Sequence, residues 1–104
     1  QAAQIFATTD LIAERVRKTG GTTIRSIGDI TRRPSIKDND AEKVSAADML
    51  AELRDDNLAL VESLRAAKDI VDAARDNATS GVIDTWTDEA EQRAWFLLES
   101  SPTA

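Results

Sequence analysis

The chain has 104 residues, 41% of them hydrophobic, with a formal charge of −6 and neither cysteine nor histidine. That charge argues against tight nucleic-acid binding through a general positive field, because phosphate contacts need clustered Lys and Arg. The missing cysteines exclude a disulfide framework and any Cys-based zinc or iron–sulfur site; the missing histidines mean that no site using imidazole is completed by this chain alone.

A chain of this length makes one domain at most. These residues contain no apolar run long enough for a bilayer and no signal-peptide pattern, which leaves export open for a segment ahead of them; the lack of cysteine fits a reducing compartment, and the cytoplasm is the expected setting. Few Pro and Gly, together with many Ala, Leu, Glu, Asp and Arg, predict an all-α fold.

The first predicted helix spans residues 1–18. Gln1 to Phe6 already run in helical register with no capping residue in front, so the chain is expected to begin inside a helix. Ala2, Ile5, Phe6, Ile12, Ala13 and Val16 share a face, and Gly20-Gly21 supplies the stop. Asp10 and Glu14, one turn apart, put two carboxylates on one side of this helix, where oxygen ligands suit iron or manganese. On spacing alone such a pair is more often a solvated face, answered here by Arg15, Arg17 and Lys18.

From Thr22 to Ser45 the pattern loosens. Ile24, Ile27 and Ile30 recur every third residue, predicting a short helix over about residues 24–32. A connection of this length is either functional, at an interface, or a partly covered surface loop.

Ser45 caps a long predicted helix over about residues 46–75, with Asp48 three residues on. Ala46, Leu50, Leu53, Asn57, Leu60, Leu64, Ala67, Val71 and Ala74 alternate by four and three as a bundle seam. Asn57 is its polar member; it either fixes register as a buried amide or faces a gap or solvent. A polar break follows, with Thr79 or Ser80 as candidate cap for a last helix over about residues 80–99. Trp86, Ala90, Ala94 and Leu97 line one side of it, Trp95 and Phe96 widen the stripe, and Ser100-Ser101-Pro102 stops it. Three main helices and a short connecting one leave an apolar face for a fourth helix or another chain to cover.

The run Asp10-Leu-Ile-Ala-Glu14-Arg15, followed by Gly20-Gly21-Thr22, resembles the stretch of Dps proteins in which an Asp and a Glu four apart precede an Arg and a Gly-Gly pair. The resemblance continues through the short helix, the Ser45-Ala46…Met49-Leu50 opening of the long helix, and Trp95-Phe96-Leu97 near the end, covering Gln1 to Glu99 in family order. It implies a ferritin-like four-helix bundle lacking its first helix, so that these residues look like the C-terminal two-thirds or so of a subunit.

In that family identical subunits form a dodecameric shell that oxidises ferrous iron, typically with hydrogen peroxide, stores the ferric product and protects against oxidative stress. The iron site lies between subunits, one giving the Asp and Glu, the other two His. Carried over, Asp10 and Glu14 are iron ligands and the carboxylate half of a ferroxidase site, while the His ligands have no counterpart here. The family's cation pores place Asp76 and Asp84 in the corresponding region, although Gly81 stands where some members have an acid; ordinary helix-end carboxylates are the competing reading. Ser100 to Ala104 contain no basic residue, so DNA contact is expected only through a tail outside these residues. The alternatives are a helical protein-interaction module with an incidental acid pair, or an inactive truncated fragment that self-associates through open apolar stripes.

Overall fold

The computed structural model describes residues 1–101. Their regular elements are all helical: α1 (Ala2–Lys18), α2 (Ile27–Arg32), α3 (Ala46–Ala73) and α4 (Asn77–Glu99). They fall into two compact units, one formed by Gln1–Lys37 and the other beginning at Asp38.

In the first unit, the end of α1 depends on both glycines. Gly20 takes φ +93°, the left-handed conformation that side chains resist. Its N–H donates to Arg17 O at 3.1 Å and that of Gly21 to Val16 O at 2.8 Å. These are the two bonds of a Schellman closure. Gly21 is required for a different reason, because a Cβ there would stand 2.8 Å from Val16 Cγ1. Arg15, Arg17 and Lys18 occupy the last turn, where the helix dipole favours cations.

α2 starts later than the isoleucine spacing predicts. Ser26 is extended and its Oγ accepts from Asp29 N–H at 3.1 Å, so the side-chain cap leaves Ile24 and Arg25 outside the helix. Ile24, Ile27 and Ile30 are all exposed, Ile27 by 83%.

The second unit is a helical hairpin, and its packing is α3 against α4. Ser45 Oγ caps α3 by accepting from Asp48 N–H at 3.1 Å. The far end closes on Arg75, a non-glycine residue at φ +59°. Arg75 N–H donates to Asp72 O and Asp76 N–H to Val71 O, again the double closure of a Schellman motif. Asp76 then opens α4: its Oδ1 accepts from Thr79 N–H at 3.2 Å and its Oδ2 from the Thr79 hydroxyl at 2.6 Å. The cap expected at Thr79 or Ser80 is therefore displaced to Asp76, and α4 begins at Asn77. Ser80 is buried instead and accepts from Lys68 Nζ at 2.7 Å. At the other end the hydroxyls of Ser100 and Ser101 donate to the carbonyls of Phe96 and Leu97. The stop expected at Pro102 lies outside the described residues.

The seam on α3 is shifted by one flank from the expected one. The row Leu50, Asn57, Leu64, Val71 is shared, but the second row facing α4 includes buried Val61 and half-buried Arg54 and Lys68. Of the flank expected instead, Leu53 and Ala74 are exposed and Leu60 and Ala67 half-buried. At 3.6 residues per turn either flank completes a stripe around the shared row, and α4 selects the one that carries polar side chains. On α4 the buried positions are Ser80, Ile83, Ala90, Arg93, Ala94 and Leu97. The two alanines are small enough to let the helices approach closely. Trp95 and Phe96 are exposed, by 55% and 52%, and stack on each other at 4.9 Å.

Asn57 lies in the middle of this contact, 4% exposed, and Arg93 is 8% exposed opposite it. Arg93 Nε donates to Asn57 Oδ1 at 2.8 Å, while Asn57 Nδ2 donates to Leu53 O at 2.8 Å. Asn57 is thus a buried amide that ties α3 to α4. Asn57→Ala is expected to lower stability in urea by about 2–3 kcal/mol, because it leaves a buried guanidinium short of an acceptor. Asn57→Leu combined with Arg93→Met is expected to cost less than the sum of the single changes. At the hairpin, Arg75→Gly is expected to raise stability by about 0.5–1 kcal/mol by removing left-handed strain, read as an increase in melting temperature.

Candidate metal centre

Asp10 and Glu14 stand on the middle of α1, one turn apart on the same side, and both are exposed. The turn before them keeps its hydroxyls to itself: Thr8 Oγ1 donates to Ile5 O at 2.7 Å and Thr9 Oγ1 to Phe6 O at 2.8 Å. With their protons committed to the helix backbone, these hydroxyls do not compete for the carboxylates as donors. Ala13 and Arg15 beside the pair are half-buried.

The donor set is four carboxylate oxygens, hard ligands suited to ferrous iron or manganese. Among the described residues, no group of three or more His, Cys, Asp or Glu side chains gathers in a metal-binding cluster. Two carboxylates on one helix leave most positions around an octahedral cation to other ligands. Asp10 and Glu14 thus form a two-carboxylate donor set with no third ligating side chain gathered beside them among the described residues.

The two acids considered for a pore have local partners. Asp76 caps α4 through both oxygens. Asp84 Oδ1 lies 2.8 Å from Lys68 Nζ, which also reaches Asp72 Oδ2 at 3.8 Å and donates to Ser80. The hydrogen bond to Asp84 raises the Lys68 pKa, partly opposed by desolvation and helped by the charges of Asp72 and Asp84. Lys68 is absent from the sequence-based site; its spacing to Asp72 is visible along the helix, but Asp84 reaches it only through the hairpin. Among the described residues, no helix is long and apolar enough to cross a membrane.

Because the folded pKa of Lys68 lies above the ordinary 10.5, its contribution to stability is fully present below that value and is lost as pH rises through the folded one. Melting temperatures of the native protein and Lys68→Met are expected to differ most near pH 8 and to converge in strongly alkaline buffer. Added salt should narrow the difference near pH 8, since the side chains are partly exposed.

Comparison with known proteins relates this geometry to others. Residues 1–100 match the family described as a ferritin-like domain. The chain is similar to a "DNA protection during starvation protein" of Brevibacillus brevis, 34% identical over 88 residues, covering 85% of this chain and 58% of the relative. It is also similar to a low temperature-induced protein of Nostoc sp., 34% identical over 97 residues, covering 89% of this chain and 54% of that one. The crystal structure of a Dps protein from Bacillus brevis superposes with a TM-score of 0.87 at 31% identity, over 93% of this chain and 64% of that one. The chain thus spans between half and two-thirds of the length of these relatives.

Proposed function

The chain belongs to the ferritin-like domain family, and on that premise we propose that it serves iron oxidation and storage, with Asp10 and Glu14 as the carboxylate half of a ferroxidase site. The observation that carries this reading is the exposed carboxylate pair on one turn of α1, in a chain without histidine and similar to a Dps protein over 93% of its length. Ferrous iron is the substrate. Asp10 and Glu14 hold it by charge and oxygen coordination, and ligands from another chain complete the sphere, with open positions for the oxidant. Hydrogen peroxide is the proposed oxidant: one molecule takes one electron from each of two ferrous ions, its O–O bond breaks, its two oxygens take up two protons and leave as water, and the two ferric ions enter the store.

Identical subunits in a dodecameric shell are the proposed assembly, and the cytoplasm the proposed compartment. Protection against oxidative stress follows from consuming ferrous iron and peroxide together. Asp76 and Asp84 are candidates for a cation pore, but their contacts with Thr79 and Lys68 favour helix-end and ion-pair roles. DNA contact is left to a tail outside these residues.

A second reading, a helical interaction module, draws on the exposed Ile24, Ile27 and Ile30. It predicts no metal affinity at Asp10 and Glu14 and a stoichiometric complex with an unrelated protein. In the native assembly isolated from cells, Asp10→Ala with Glu14→Ala is expected to abolish the fast phase of ferrous oxidation, followed by absorbance after mixing with peroxide. Unchanged kinetics in the double variant would overturn the assignment.

A further inference from the structure

A cleft of about 370 Å³ lies in the first unit, formed by residues of the stretch 22–33. Its lining is rich in donors and poor in acceptors. Arg25, Arg32 and Arg33 bring three guanidinium groups, and Asp29 is the lone carboxylate among the lining residues. That carboxylate is already engaged: Asp29 Oδ1 accepts from Arg33 Nε at 2.9 Å and from Arg32 Nη2 at 3.3 Å. The hydrogen bond from Arg33 is the main reason its pKa lies below the ordinary carboxylate value. Asp29 stays ionised and keeps both guanidinium groups in place, while their other N–H groups remain available.

Ser26 Oγ accepts from Asp29 N–H, which leaves its own proton to donate. Thr22 and Thr23 add two more hydroxyls. The local charge is +2 in a chain whose net charge is −6. Three arginines and three hydroxyl-bearing residues lining one cleft, with Asp29 Oδ1 already accepting from two of the arginines, match an anion with several acceptor oxygens.

We propose that this cleft binds free phosphate, with Arg25 and Arg33 as its principal ligands and Arg32, Thr22, Thr23 and Ser26 around them. Phosphate suits it better than a carboxylate ligand because the donors come from hydroxyls and guanidinium groups together, more than a planar two-oxygen anion can satisfy. The acidic balance of the chain favours a small free anion over a nucleic-acid backbone.

The test is calorimetric titration of the native assembly with inorganic phosphate, beside sodium acetate and a short DNA duplex. Saturable phosphate binding is expected, weakened at least tenfold in Arg25→Gln and in Arg33→Gln, with far-UV circular dichroism unchanged in the Arg25 variant. Arg25 is exposed, so its replacement tests the cleft even if the Arg33 variant folds poorly. Absent saturation, unchanged affinity in Arg25→Gln, or acetate binding as tightly as phosphate would overturn the assignment. Duplex DNA displacing phosphate through the same arginines would assign the cleft to nucleic acid and overturn the free-phosphate proposal as well.

Discussion

The bond from Arg93 Nε to Asn57 Oδ1 ties α3 to α4, between a buried amide and a buried guanidinium. Around it the core is small: Val61, Ile83, Ala90, Ala94 and Leu97 are the buried hydrophobic residues among those described. Such a core offers little shape of its own to select one helix register, since the two buried alanines of α4 present a smooth surface to α3. A directional, charge-assisted hydrogen bond does not. If α4 slipped by one turn along α3, a guanidinium would be left in an apolar contact without its amide acceptor, a penalty that outweighs most small gains in packing. The polar flank chosen on α3 follows from the same logic, because Asn57 and Lys68 both find partners on α4, in Arg93 and in Ser80 with Asp84.

Helix order and most helix ends are legible in the residues because they are local. Ser45 and Gly20-Gly21 act within a turn of where they stand, by accepting or freeing backbone hydrogen bonds. The start of α4 is less legible, since Asp76, Thr79 and Ser80 are all competent caps. The choice falls to Asp76 because Arg75 adopts a left-handed conformation that arginine does not advertise. The seam on α3 shows the same limit. Its shared row is written in the four–three alternation, but the flank depends on what α4 presents, which no window along α3 contains.

The candidate site divides in the same manner. Asp10 and Glu14 are readable as a pair because one helical turn brings them together, and their family context comes from the order of elements around them. The engagement of Asp84 by Lys68 joins residues on two helices and needed the hairpin to be seen. The arginine-lined cleft is not legible in the sequence because its charges are scattered along residues 22–33, and the turn into α2 brings them together. A solvent-facing pair such as Asp10 and Glu14 gains chemical strength only when further ligands and a drier environment are added. The proposed iron chemistry therefore asks for ligands beyond Asp10 and Glu14, which themselves contribute geometry and charge.

Asp76 has two duties in the hairpin: its N–H closes α3 and its carboxylate opens α4. No residue between the helices is spare. A single inserted residue at this point would turn every later position of α4 by about 100° about its axis, carrying Arg93 away from Asn57 and Ser80 away from Lys68 in one step. Length variation in descendants of this sequence should therefore collect in the connection ahead of Ser45, where added residues leave the paired helices in phase.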